Sequence, residues 1–255
     1  MPCSVSLLSA ENYDSVYLFL ATVHEMVVDA DRQSRWGLGD AAAGFLVGIA
    51  STTVFLGLFF AATGRTSGLA ATAIGMAGLW VGFLGVPVYA ARTKGSGSLA
   101  AEFGLRTRWQ DAVWGLPLGV ACQVIMVPLI YLPLRPFIED EELSRPADEL
   151  FGDFRGPSLV LLVLLVVVAA PLVEELFFRG LLLRALTRRL GPVPGILVSG
   201  AVFGATHFQL LQFVALAAFG VVLATLAVRH RRLGPAIWVH MGFNATTVVL
   251  LVAAR

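Results

Sequence analysis

Charge is what this sequence has least of. Of 255 residues only 14% are Asp, Glu, Lys or Arg, whereas 57% are hydrophobic, and an ordinary soluble domain carries roughly 25% charged residues. With 18 basic against 17 acidic side chains the net charge is +1, so there is no electrostatic footprint for nucleic acid. Cysteine is nearly absent too: Cys3 and Cys122 lie far apart. Cys122, inside an apolar run, reads as a small buried thiol, and Cys3 follows no apolar stretch of the kind that precedes a lipoprotein cysteine. The first twenty residues hold Glu11 and Asp14 but no Lys or Arg, against expectation for a cleaved signal peptide. The last residues, Val252 to Arg255, make no prenylation box. No internal repeat is visible.

What the chain does have is apolar runs of about 20 residues, the length a helix needs to cross ~30 Å of hydrocarbon. We therefore expect an all-α, polytopic transmembrane bundle. Seven spans are read at about 41–63, 69–91, 112–134, 158–183, 193–208, 210–228 and 235–253. Residues 1–40 form a mixed-polarity segment in which Tyr13, Val16, Tyr17, Leu20, Val23 and Val27 recur at helical spacing, the pattern of an amphipathic, interfacial helix. The chain divides into this segment (1–40), two spans with a following loop (41–111), and a C-terminal helical core (112–255).

Basic residues cluster on alternate loops: Arg32 and Arg35; Arg92, Lys94, Arg106 and Arg108; Arg184, Arg188 and Arg189; Arg229, Arg231 and Arg232. The opposite loops hold Arg65 and an acidic loop from 139 to 153. By the positive-inside rule the N-terminus is cytoplasmic and the C-terminus is outside. Trp36, Trp80, Trp109, Trp114 and Trp238 near span ends read as interface anchors, and His230 as part of a cytoplasmic charge cluster. Glycines such as Gly75, Gly78, Gly82 and Gly85, or Gly195, Gly200 and Gly204, are packing signals, because small residues let helices approach closely in lipid.

Against this background three charges stand out. Pro171-Leu172-Val173-Glu174-Glu175-Leu176-Phe177-Phe178-Arg179 follows directly on the run Leu159 to Ala170. An ionisable group at such depth costs about 2.5–3.5 kcal/mol by insertion scales. Glu175 and Arg179 are four residues apart, on one helical face, where an ion pair would lock the helix; that pairing does not account for Glu174. Two further polar groups lie in apolar spans: His207, in Phe203-Gly204-Ala205-Thr206-His207, and the pair His240 and Asn244, on one face at i, i+4.

If 172–190 and 193–207 form a hairpin turning at Gly191-Pro192, Glu174 and His207 end at matching heights, ~24 and ~21 Å from the turn at 1.5 Å per residue. His240 and Asn244 lie five and nine residues after Pro235, entering from the same side. The ionisable groups then converge in one cavity open to the cytoplasm. They include no nucleophile and no Ser-His-Asp or Cys-His arrangement. His24-Glu25-Met26-Val27-Val28 lacks the second histidine of the zinc-protease string. Activation of water remains, either by Glu174 with His207 while His240 and Asn244 donate to an oxyanion, or through zinc held by Glu174, His207 and His240. Both routes lead to hydrolysis.

Glu-Glu-x-x-x-Arg, Phe-x-x-x-His and His-x-x-x-Asn, in this order on three helices, resemble the CPBP family. These are the CAAX proteases and bacteriocin-processing enzymes, also called abortive-infection (Abi) or type II CAAX prenyl-endopeptidase-like proteins. The similarity covers roughly 112–253. It implies an intramembrane endopeptidase cleaving a membrane-associated peptide or protein near the cytoplasmic boundary of a bacterial cytoplasmic membrane. Glu174 would activate water with His207, His240 and Asn244 would serve the oxyanion, and Glu175 with Arg179 would support Glu174. The family is labelled metalloprotease, and a metal-free glutamate mechanism is also proposed for it; zinc and no metal stay equally open. Two other classes are weighed beside the enzyme. A proton-coupled transporter would show broken helices in matching repeats, and a silent scaffold or immunity-type protein would act by binding alone.

Overall fold

The computed structural model describes residues 35–138, 140–151 and 154–253, and among them every regular element is a helix. In chain order these are α1 Leu38–Thr63, α2 Leu69–Lys94, a one-turn α3 Leu99–Glu102, α4 Trp109–Tyr131, α5 Asp140–Phe151, α6 Gly156–Leu190, α7 Pro192–Ala205, α8 Phe213–His230 and α9 Gly234–Ala253. Six of them (α1, α2, α4, α6, α8, α9) are long and apolar enough to cross a bilayer, and α7 is apolar but shorter. The polytopic all-α reading with about seven spans holds. The amphipathic segment expected over 1–40 falls almost wholly outside the described residues.

Glycine sets the closest helix contacts. A Cβ on Gly78 would come within 2.6 Å of Thr52 Cα, and one on Gly82 would overlap the Gly44 carbonyl and the Gly48 backbone, so α1 and α2 pack antiparallel with backbones touching. Gly85, in the same sequence row, has nothing within 4 Å. Gly115 and Gly119 bring α4 parallel to α9 at Trp238 to Phe243, and Gly200 and Gly204 bring α7 against Val221 and Ala217 of α8. A file of rings crosses the core: Phe83 stacks on Phe177 at 4.1 Å, and Phe178 meets Phe177 and Phe203 edge-on at 5.2 and 5.3 Å.

Three expectations change. The acidic stretch after 139 is not a loop. From 140 it is helix α5, because Leu143, Pro146, Ala147, Leu150 and Phe151 fall on one face at helical spacing. Phe151, 2% exposed, docks with Leu162, Val248 and Leu251 of α6 and α9. Pro146 cannot donate to the Glu142 carbonyl four residues back; Gln212 Nε2 lies 3.4 Å from that oxygen and 3.2 Å from Leu143 O. Secondly, Trp36 is buried at 4% exposure instead of lying at the interface. Its Nε1 donates to Glu102 Oε1 at 2.6 Å, and the Arg188 guanidinium carbon sits 3.8 Å from its ring centroid. Trp109, 74% exposed, keeps the surface position of an anchor. Thirdly, the fifth apolar segment ends at Ala205, so His207 lies in the turn that follows α7.

The arginine-rich end of the bundle is knitted together. Asp111 accepts from both terminal nitrogens of Arg232, Nη2 at 2.7 Å, and from Arg108 N at 2.8 Å. Leu233 N and Gly234 N donate to Gly104 O and Arg106 O at 2.8 and 3.0 Å. Cys122 is a buried free thiol.

Candidate active site

The site is built on α6, whose ladder is irregular. Residues Leu164–Ala169 and Leu176–Leu182 are π-helical on either side of the α-helical turn Ala170–Glu175. Such π stretches occur often at functional sites. In the first, Ala170 N donates to Leu165 O. The next carbonyl, Val166 O, would then take its proton from residue 171, which is proline and has none. Asn244 of α9 supplies it, Nδ2 to Val166 O at 2.9 Å. A proline on one helix and an asparagine on another thus fix each other's height.

The second π stretch carries Arg179. Glu175 is 0% and Arg179 1% exposed. Arg179 Nη1 donates to Glu175 Oε1 at 3.0 Å, and Nη2 to Gly220 O on α8 at 3.2 Å, while its guanidinium carbon lies 4.3 Å from the Phe203 ring centroid. A buried charge pair survives only with geometry of this kind, since desolvation costs several kcal/mol per ion. The same Glu175 Oε1 lies 2.9 Å from His240 Nδ1. The other imidazole nitrogen, Nε2, is 3.9 Å from Glu174 Oε2, whose side chain keeps 20% of its surface. Phe203 and Phe219 flank the His240 ring edge-on, at 5.7 and 5.6 Å.

Gly191 (φ 85°) turns α6 into α7. The hairpin sets Phe203 beside Phe178 and Arg179, and His207 packs on Phe203 with ring centroids 4.9 Å apart. His207 Nδ1 lies 2.8 Å from Phe203 O. A carbonyl only accepts, so Nδ1 carries a hydrogen, and in the neutral ring Nε2 is the bare nitrogen. Glu174, Glu175, Arg179 and His240 are therefore in one contact network, His207 joins it through the Phe203 ring, and Asn244 is bound to the α6 backbone. The Gly220 carbonyl and the Phe219 ring belong to this network and carry no sequence signal; both are supplied by the unremarkable apolar helix α8.

Zinc chemistry favours imidazoles whose second nitrogen is tied to a carboxylate or carbonyl, which His240 and His207 both satisfy. Among the described residues, however, no three His, Cys, Asp or Glu side chains come together as a metal-holding group. As placed, Glu174, His207 and His240 do not form a metal-holding group.

Fold and site together define a polytopic helical membrane protein with acid, imidazole and guanidinium groups packed inside its bundle. Residues 156–246, from the start of α6 into α9, match the family described as Type II CAAX prenyl endopeptidase Rce1-like, so that through this stretch the chain is similar to the CAAX proteases. An uncharacterized 24.3 kDa protein of Escherichia coli is 32% identical over 140 residues, covering 52% of this chain and 64% of the relative. The match thus spans less than two thirds of that relative's length. No solved structure matches.

Proposed function

We propose that the protein is an intramembrane endopeptidase that hydrolyses a peptide bond of a membrane-associated peptide or protein, at a site nearer the arginine-rich, cytoplasmic end of the bundle. The observation that carries this is a buried network of two glutamates, a histidine and an arginine, with Glu174 the carboxylate that retains access. Glu174 takes a proton from water, helped by the bare Nε2 of His207, and the water oxygen attacks the carbonyl carbon. His240 and the amide proton that Asn244 has left after serving Val166 O face the charge that builds on the carbonyl oxygen. Collapse breaks the C–N bond, and the proton held at the site passes to the leaving nitrogen, giving a carboxylate and an amine. A half-buried site is reached most readily by a substrate already in or on the bilayer.

The test is cleavage of a pooled membrane-tethered peptide library by detergent-purified protein, beside Glu174→Ala and a chelator-treated sample. Cleavage by the wild type and its loss in Glu174→Ala are expected. Turnover retained by Glu174→Ala overturns the assignment, and loss on chelation restored by zinc replaces the metal-free mechanism. If membrane-tethered and detached soluble peptides are cut equally, the proposed route of substrate access is wrong.

A further inference from the structure

Resting on that reading, we infer that Glu175 is the positioning residue of His240, holding it in the tautomer that carries its hydrogen on Nδ1 and points a bare Nε2 at Glu174. The derivation starts from Arg179, whose guanidinium keeps its charge in proteins. At 3.0 Å from that cation, Glu175 is a carboxylate, and a carboxylate only accepts hydrogen bonds. The His240 nitrogen 2.9 Å from the same oxygen must be an N–H. A neutral imidazole has one N–H, so Nε2 is left with a lone pair.

The distance on the other side agrees. The groups facing His240 are Glu175 and Glu174, with Arg179 behind Glu175. A proton on Nε2 would favour a charge-assisted bond to Glu174 of about 2.7–2.9 Å; at 3.9 Å no such bond is formed. With Phe203 and Phe219 edge-on against the ring, at 82° and 81°, the imidazole is held from both sides and cannot exchange its two nitrogens by turning over.

Catalysis then has an order. His240 cannot stabilise an oxyanion at rest, because the nitrogen it presents has no hydrogen. It first accepts the proton that water gives up to Glu174, and the Nε2–H so formed becomes the donor to the carbonyl oxygen. On leaving-group departure the same proton goes to the nitrogen, and the resting tautomer returns. Glu175 therefore acts on the reaction through His240 rather than by supporting Glu174.

The test is nitrogen-15 NMR of histidine-labelled full-length protein in detergent at neutral pH. The chain has only 4 histidines, and single His→Gln variants assign them. His240 is expected to show hydrogen on Nδ1 only, with that proton shifted downfield by its carboxylate partner, and Glu175→Gln to move it clearly upfield. An Nε2–H tautomer or a doubly protonated ring in the wild type overturns the inference, as does an Nδ1 proton indifferent to Glu175→Gln. If Glu175→Gln does not fold, the wild-type tautomer alone decides. The readout does not depend on cleavage: a wrong tautomer leaves the protease reading intact, and an inactive protein leaves the tautomer result intact.

Discussion

Replacing Asn244 by leucine is expected to destabilise the protein even where no substrate is present, and Pro171→Ala is expected to remove most of that penalty. In the wild type Val166 O is served by Asn244 Nδ2 at 2.9 Å because Ala170 N is committed to Leu165 O and Pro171 has no hydrogen. Leucine keeps the volume and removes the donor, leaving a part-buried carbonyl unsatisfied at a cost of about 1–3 kcal/mol; the partial exposure of Asn244 puts the figure in the lower half of that range. Alanine at 171 returns an N–H one π-turn below the orphan oxygen, or lets the stretch relax to an α-helix in which Ala170 serves it. The double variant should therefore show a coupling energy of about 1 kcal/mol, within the range seen for residues sharing one hydrogen-bond network. Thermal or denaturant midpoints of the four proteins in one detergent give the cycle. Strict additivity of the two single effects would refute the reasoning and show that the asparagine does not serve the proline's missing hydrogen. Because Asn244 has this structural duty, loss of cleavage in an Asn244 variant counts as evidence for an oxyanion role only in the Pro171→Ala background.

Arg179→Met should cost about 3–5 kcal/mol by stranding the Glu175 charge, and Glu175→Met with Arg179→Met should cost less than that single change; midpoints in the opposite order would mean that shape, and not charge, governs the site. Gly82→Ala should lower stability by about 1–3 kcal/mol through overpacking, whereas Gly85→Ala, with open space around it, should stay within about 0.5 kcal/mol. Phe151→Ala, which empties the anchor of α5, should release that helix, read as faster hydrogen exchange across 140–151 with α8 and α9 unchanged. Asp111→Ala should speed exchange at Leu233 N and Gly234 N, whose loops it helps hold together through Arg232.

Most of the bundle was legible because hydropathy and arginine placement report directly on length and spacing. The i, i+4 spacing of Glu175 and Arg179 corresponds to a real ion pair, and the expected hairpin at Gly191-Pro192 forms, with Phe203 facing Phe178 and Arg179. Other features had no periodic signature. The partner of Asn244 is a backbone carbonyl, Val166 O, which no side-chain pattern encodes, although Pro171 marks the neighbourhood of a missing hydrogen. The bond from His240 to Glu175 depends on the exact rotation of α9 against α6, finer than boundary errors of two to four residues allow. Helix α5 was hidden by its acidic composition: counting charges suggested solvent, whereas the spacing of Leu143, Ala147, Leu150 and Phe151 already described a face. Trp36 was misplaced because tryptophan near a span end has two fates, and the choice was made by Glu102 and Arg188, distant in sequence.

The π-helical stretch Leu176–Leu182 has a consequence for comparing this chain with its relatives. A π turn accommodates one residue more than an α turn, so a relative with one residue fewer between the positions of Glu175 and Arg184 could keep its glutamates in place on a regular helix. Because the π turn absorbs that residue, the helix after the deletion would keep its faces, and the counterparts of Arg184 and Arg188 would still reach the carbonyls that Glu102 and Trp36 present here at 3.1 and 2.7 Å. Single-residue length differences in this interval should therefore leave the tie between the start of the first apolar helix and the end of α6 intact, with the extra residue taken up locally in the π turn beside Arg179.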